Sequence, residues 1–215
     1  MIAGINSSYH HLLAVNVWSC TEVMALGLLY LGLTLLGILQ TQAQDAPPAL
    51  PLNPLLSSVP LQPDFQEEQF QGKWYVIAVA DNSVRFENVT QLDMYSMKLQ
   101  LSDDHSYNVT YTGFSEEYCQ LWSTGFVPTV LPGQFTLENV TSFSGIQSHV
   151  VRVVSTDYNQ FATIFTKIMY KSRVYFESTL LGRAKELSSE VKESYLEFSK
   201  SLGLSEEDIV FTYPI

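Results

Sequence analysis

Cys119, His105, His149 and Glu177 are side chains whose types suit catalysis or metal binding, yet their spacing assembles no reactive site. A zinc centre needs Cys, His or carboxylate ligands at short, repeated intervals, and neither histidine stands at such a spacing. A nucleophile needs a base and a group that orients the base, and no such trio is legible. No catalytic residue, metal ligand or cofactor site is therefore expected, and the chain does not read as an enzyme. His149, beside a β-rich run, reads as a lining residue and Glu177 as a ligand contact. What the spacing does offer is binding by burial. Side chains alternate across a strand, so one fixed residue orients the rest. If Asn108, in Asn108-Val109-Thr110, carries a glycan, it faces outward and sends Tyr107, Val109 and Tyr111 inward. By the same alternation Trp122, Thr124 and Phe126 share a face, as do Ile164, Thr166 and Ile168. Tyr175, Glu177, Thr179 and Leu181 form a fourth such set.

These sets need a sheet to hold them. From residue 65 onward, short β-rich runs alternate with turn chemistry: 74–80, 94–101, 107–112, 121–126, 134–137, 149–154, 161–168 and 174–181. Runs at hairpin spacing predict an all-β fold, an eight-stranded antiparallel up-and-down barrel, which is just large enough for one small ligand. Val191, Tyr195, Phe198 and Leu202 then recur at helical spacing and predict one C-terminal α-helix packed outside the barrel, ended by Gly203. Ile209-Val210-Phe211 predicts a short final strand.

Ahead of the barrel, Pro47, Pro48, Pro51, Pro54, Pro60 and Pro63 remove backbone donors and fix φ, so residues 44–64 are expected to form an extended arm. Residues 1–43 read as an N-terminal extension and signal peptide. The apolar run MALGLLYLGLTLLGIL starts at Met24, the expected start of translation, and Thr41-Gln42-Ala43 supplies small residues for cleavage after Ala43. The run is too short to favour a membrane span. The domain proper is expected over 65–215. The chain has 215 residues, 11 basic and 22 acidic, and a formal charge of −11. That balance argues against nucleic acid and anionic membrane surfaces as partners. Sequons at Asn88, Asn108 and Asn139 agree with an extracellular glycoprotein.

Gly72-Lys73-Trp74-Tyr75, Thr156-Asp157-Tyr158 and Gly182-Arg183, in this order and at these spacings, resemble the signature of the lipocalin family. The resemblance implies that Gly72 turns the chain into the first strand, that Trp74 plugs the closed end, that Thr156, Asp157 and Tyr158 brace that end, and that Arg183 stacks across Trp74. It also implies a ligand cavity, the calyx, with Tyr95, Met97, Tyr111, Trp122, Thr124, Phe126, His149, Thr166, Ile168, Tyr175, Glu177 and Leu181 as candidate lining residues. Longer runs, among them Ser106-Tyr107-Asn108-Val109-Thr110 and Val151-Arg152-Val153-Val154-Ser155-Thr156, are similar to siderophore-binding lipocalins of innate immunity. Those proteins hold a trianionic ferric catecholate with one Arg and two Lys. Here the corresponding positions are Thr124, Ile168 and Glu177, a tyrosine near the mouth is replaced by Leu181, another by His149, and a basic triplet reads Glu116-Glu117-Tyr118.

For a multiply charged anion, replacing Lys by Glu turns an attraction into a repulsion of similar size. The expected function is therefore secretion, binding and transport of a small hydrophobic molecule. Iron-siderophore sequestration is the alternative. Some lipocalins are isomerases that use a Cys inside the barrel, but no Cys occurs in the early strands here. In relatives the Cys at position 119 pairs with one beyond the final strand. Either the chain continues past Ile215, or Cys119 is a free thiol that could link two chains. A cell-surface receptor and a disulfide partner through Cys119 are thus further candidate partners, and an extracellular interaction protein is the second alternative.

Overall fold

The computed structural model describes residues 54–82, 92–114, 119–139 and 144–214. The expectations for the leader, for Asn88 and for Glu116-Glu117-Tyr118 fall outside these residues, as does the side chain of Cys119. The strands are β1 (Gly72–Asp81), β2 (Leu92–Asp93), β3 (Ser96–Leu101), β4 (Tyr107–Phe114), β5 (Cys119–Pro128), β6 (Gln134–Leu137), β7 (Ile146–Thr156), β8 (Phe161–Tyr170), β9 (Arg173–Gly182) and β10 (Ile209–Tyr213). The helices are α1 (Glu67–Phe70) and α2 (Ser189–Ser201).

Strands β3 to β9 pair antiparallel in sequence order, β1 pairs with β3, and β9 returns to β1 to close the ring. This is the expected eight-stranded up-and-down barrel, and closure leaves no edge within the ring. β1 runs on past its pairing with β3. Gly72 to Tyr75 pair with β3, and Ala78 to Ala80 pair with β10, which lies outside the ring. β2 adds to β10 in parallel.

The end of the barrel nearest Gly72 is filled. Trp74 has no exposed surface and packs with Phe70, Met97, Leu99, Tyr107, Val109 and their neighbours. Its indole N–H donates to the Phe70 carbonyl at 2.9 Å, so its polar handle is satisfied as well as its ring. The Arg183 guanidinium lies 3.6 Å from the Trp74 ring centre. It donates to the carbonyls of Tyr158, Lys73, Gln69 and Gln71 at 2.9–3.0 Å. Gly72 has φ +99, and a Cβ there would stand 3.1 Å from Arg183 Nη1, so both conformation and space favour glycine. The turn at 156–158 braces the same end. Asp157 Oδ1 accepts from the amides of Asn159, Gln160 and Phe161, and the Tyr158 hydroxyl accepts from the Gln66 amide.

A second apolar layer lies outside the sheet. Tyr195 and Leu202 of the α2 segment pack with Ile77, Ala78, Phe165, Phe176 and Leu180. Ser188 caps the helix by accepting from the Val191 amide, and Gly203, at φ +88, follows its end. The Tyr195 hydroxyl donates to the Ser178 carbonyl at 2.8 Å, fixing the helix to β9. Residues 54–64 of the proline-rich arm also lie on this barrel. Val59 is buried, and Arg152, itself buried, donates to the carbonyls of Leu56 and Val59 and to Gln134 Oε1. A guanidinium removed from water needs such acceptors, and here they come from the arm.

Arg183→Met should keep stacking volume but leave four carbonyls without their donor, lowering stability by about 2–3 kcal/mol. Urea unfolding followed by Trp fluorescence measures this; an unchanged midpoint would show that water replaces the guanidinium at no loss.

Candidate ligand-binding site

Register fixes which side chains share the interior. Trp122 pairs with Tyr111, Thr124 with Val109 and Phe126 with Tyr107 across β4–β5. His149 pairs with Ile168 and Val151 with Thr166 across β7–β8. Ile168 pairs with Tyr175, Thr166 with Glu177 and Ile164 with Thr179 across β8–β9. Asn108 is exposed, as the outward reading requires, while Tyr107 and Val109 are fully enclosed. The four alternation sets therefore fall on one face, the inner face of the ring.

Depth within the barrel then separates floor from wall. Leu181 pairs with Val76 and Ala162, one step from Gly182, and has no exposed surface. The expected place near the mouth is corrected: β9 runs from the open end toward Trp74, so its last residues are the deepest. Met97 and Phe126, at 2% and 4% exposure, are likewise enclosed in the floor with Trp74. Side chains with so little accessible surface support a cavity without lining it. Above them, Thr124, His149, Ile168, Tyr175 and Glu177 are partly accessible, and Trp122 is 46% exposed. Tyr111 and Trp122 stack with centroids 5.1 Å apart and planes 6° from parallel, and Tyr95 approaches Trp122 at 6.4 Å. These rings form an aromatic wall at the upper barrel.

The polar groups on this wall are few. Thr179 Oγ1 donates to Glu177 Oε1 at 3.0 Å, so the carboxylate is oriented by its own strand. Burial, followed by the nearby Glu177 charge, pushes the Tyr111 phenol far above its ordinary range, so it remains a neutral donor. Burial lowers His149 to about 4, so its ring is neutral at physiological pH. Its Nδ1 is buried without a hydrogen-bond partner. Thr124 and Ile168 bring no charge.

One inward residue escapes simple alternation. Counting from Trp74 would place Ala78 and Ala80 inside and Asp81 outside. A bulge between Val76 and Ala78 shifts the phase, so Val79 joins the interior cluster while Ala78 and Ala80 join the outer one. Asp81 therefore lies opposite Glu177 on the inner face, with 1% exposure. A one-residue slip flips every later side chain, and nothing in the local sequence announces a bulge. Arg173, two pleats above Glu177 at the start of β9, is exposed. Among the described residues no group of three His, Cys, Asp or Glu could hold a metal ion. Nor is any helix among them long and apolar enough to cross a membrane.

A family model described as "Lipocalin / cytosolic fatty-acid binding protein family" matches residues 71–215. The chain is 52% identical to human neutrophil gelatinase-associated lipocalin over 192 residues, covering 89% of this chain and 97% of the relative. It is 33% identical over 189 residues to mouse prostaglandin-H2 D-isomerase, covering 87% and 94%. The solution structure of lipocalin 12 from rat epididymis superposes with a TM-score of 0.66 at 27% identity, covering 72% of this chain and 88% of that one.

His149 gives the site a pH signature. Its folded value of about 4 lies below the ordinary imidazole value of 6.5, so between those limits the unfolded chain binds more protons. Stability should fall as pH drops from 6.5 toward 4 and level off below. In His149→Gln the part of that slope due to the imidazole should vanish, as read by urea midpoints across the same pH range.

Proposed function

The chain belongs to the lipocalin / cytosolic fatty-acid binding protein family, and from that premise we propose that it is a secreted carrier burying a small apolar or weakly polar molecule in its calyx. The observation that carries this reading is the wall itself. The stacked Tyr111–Trp122 pair stands on the same inner face as Glu177 and Asp81, and the three positions expected to hold siderophore-binding cations are Thr124, Ile168 and Glu177. Aromatic and aliphatic side chains remove ligand surface from water, and Glu177, His149 and the Tyr111 hydroxyl supply orientation. A ligand burying ~300 Å² at ~25 cal/mol per Å² gains roughly 7 kcal/mol before association costs, which suits micromolar binding.

Siderophore capture is the second reading, favoured by the 52% identity to a neutrophil gelatinase-associated lipocalin. The calyx charge opposes it. At Glu177 a trianion meets a carboxylate where a cation would attract it, and Thr124 and Ile168 bring no charge to replace the other two. The exported state, glycans at Asn88, Asn108 and Asn139, a receptor and a disulfide partner at Cys119 belong to the same proposal. The sequons, the apolar run ahead of Ala43 and Cys119, the one cysteine after Ala43, support them.

Titration of Trp fluorescence in the mature protein, with Trp122→Phe to identify the reporter, should give saturable quenching by retinol and none by ferric enterobactin. In the Thr124→Arg, Ile168→Lys, Glu177→Lys variant the preference should reverse. Tight enterobactin binding by the unaltered protein would sink the carrier reading and leave the siderophore one. On non-reducing gels a dimer lost in Cys119→Ser would establish covalent pairing of chains, and a monomer in both forms would remove it.

A further inference from the structure

Lys73 and Lys98 are direct partners on β1 and β3, and both point outward because Trp74 and Met97 beside them point in. Like charges directly opposite on neighbouring strands are unfavourable, and nothing about the barrel demands them. They line an exterior cleft of about 520 Å³ together with Lys185, Tyr75, Met94, Ser96 and Tyr95, the residue whose ring also approaches Trp122. Thr112 adds a hydroxyl at the same cleft, and among the described residues no Asp or Glu lines it. On a chain with a formal charge of −11, Lys73 and Lys98 set two ammonium groups side by side on this face. The Lys73 ammonium is already held 4.6 Å from the Tyr75 ring centre, which places a cation beside an apolar floor.

We propose that this cleft is a second, exterior binding site, distinct from the calyx, for a small organic anion. The class is a phosphate or sulfate monoester on a flat apolar body. Its head relieves the repulsion between Lys73 and Lys98, with the Ser96 and Thr112 hydroxyls as further donors, and its body lies along the Tyr75 ring. The volume is in the range that ligand clefts occupy, and the mixture of apolar floor and few polar groups is that of a small-molecule site. It does not depend on what the calyx carries.

The test is fluorescence titration of the full secreted protein with 4-methylumbelliferyl phosphate and 4-methylumbelliferyl sulfate. Neutral 4-methylumbelliferone and inorganic phosphate and sulfate serve as comparisons. Saturable binding of at least one ester is expected, weakening as salt is raised and at least tenfold tighter than the neutral parent or the inorganic ions. Lys98→Met and Lys98→Gln should each weaken it at least fivefold, and Lys73→Met with Lys98→Met should abolish it. Thermal melting of each variant should stay at or above that of the unaltered protein, since a like-charge pair has been removed. The proposal is overturned if neither ester saturates at low salt, if the inorganic ions bind as well as the esters, or if affinity is unchanged in a folded Lys98 variant.

Discussion

The Arg183 guanidinium lying on Trp74 is the contact on which the closed end of this barrel depends. Stacking alone would be a modest interaction, but the same group donates to four backbone carbonyls drawn from three separate segments: the α1 approach to β1, β1 itself and the 156–158 turn. An always-charged, planar donor can serve an aromatic face and several carbonyls at once, which a lysine cannot. Trp74 in turn is the centre of the interior cluster that fills the lower barrel.

The upper half of the barrel differs in its chemistry. Met97, Phe126 and Leu181 belong to the packed floor, whereas Thr124, His149, Ile168, Tyr175 and Glu177 stand where side chains keep some accessible surface. The upper wall is aromatic on β4 and β5 and acidic where β1 meets β9. An environment of this kind suits ligands whose binding comes from removed apolar surface, and it disfavours multiply charged anions, whose attraction requires cations at close range. The outer surface has the opposite character at one place, where Lys73, Lys98 and Lys185 line a common cleft.

The sheet is also continued outside the ring. β10 takes over the edge of β1 where β3 departs, and α2 lies over the adjoining strands through Tyr195. The bulge between Val76 and Ala78 occurs at this hand-over. It turns β1 from one partner to the next, and in doing so it rotates Asp81 into the calyx. A structural adjustment made for strand pairing thereby alters the electrostatics of the binding cavity.

Much of this was determined by the sequence alone. Period-two patterning and turn chemistry specify the eight strands, helical spacing from Val191 to Leu202 specifies α2, and the Gly72, Trp74 and Arg183 positions specify the closed end, because each rests on local geometry or on residue types with few substitutes. Asn108 similarly orients β4, and pairing carries that orientation around the ring. Tertiary structure alone decided depth and phase. Leu181 is floor and not mouth because strand direction, invisible in alternation, sets its height. Asp81 faces Glu177 because a bulge, which no nearby residue signals, reverses the alternation. Lys73 and Lys98, distant in sequence, become neighbours only through the β1–β3 register, since pairing is a relation between strands and not a property of either one.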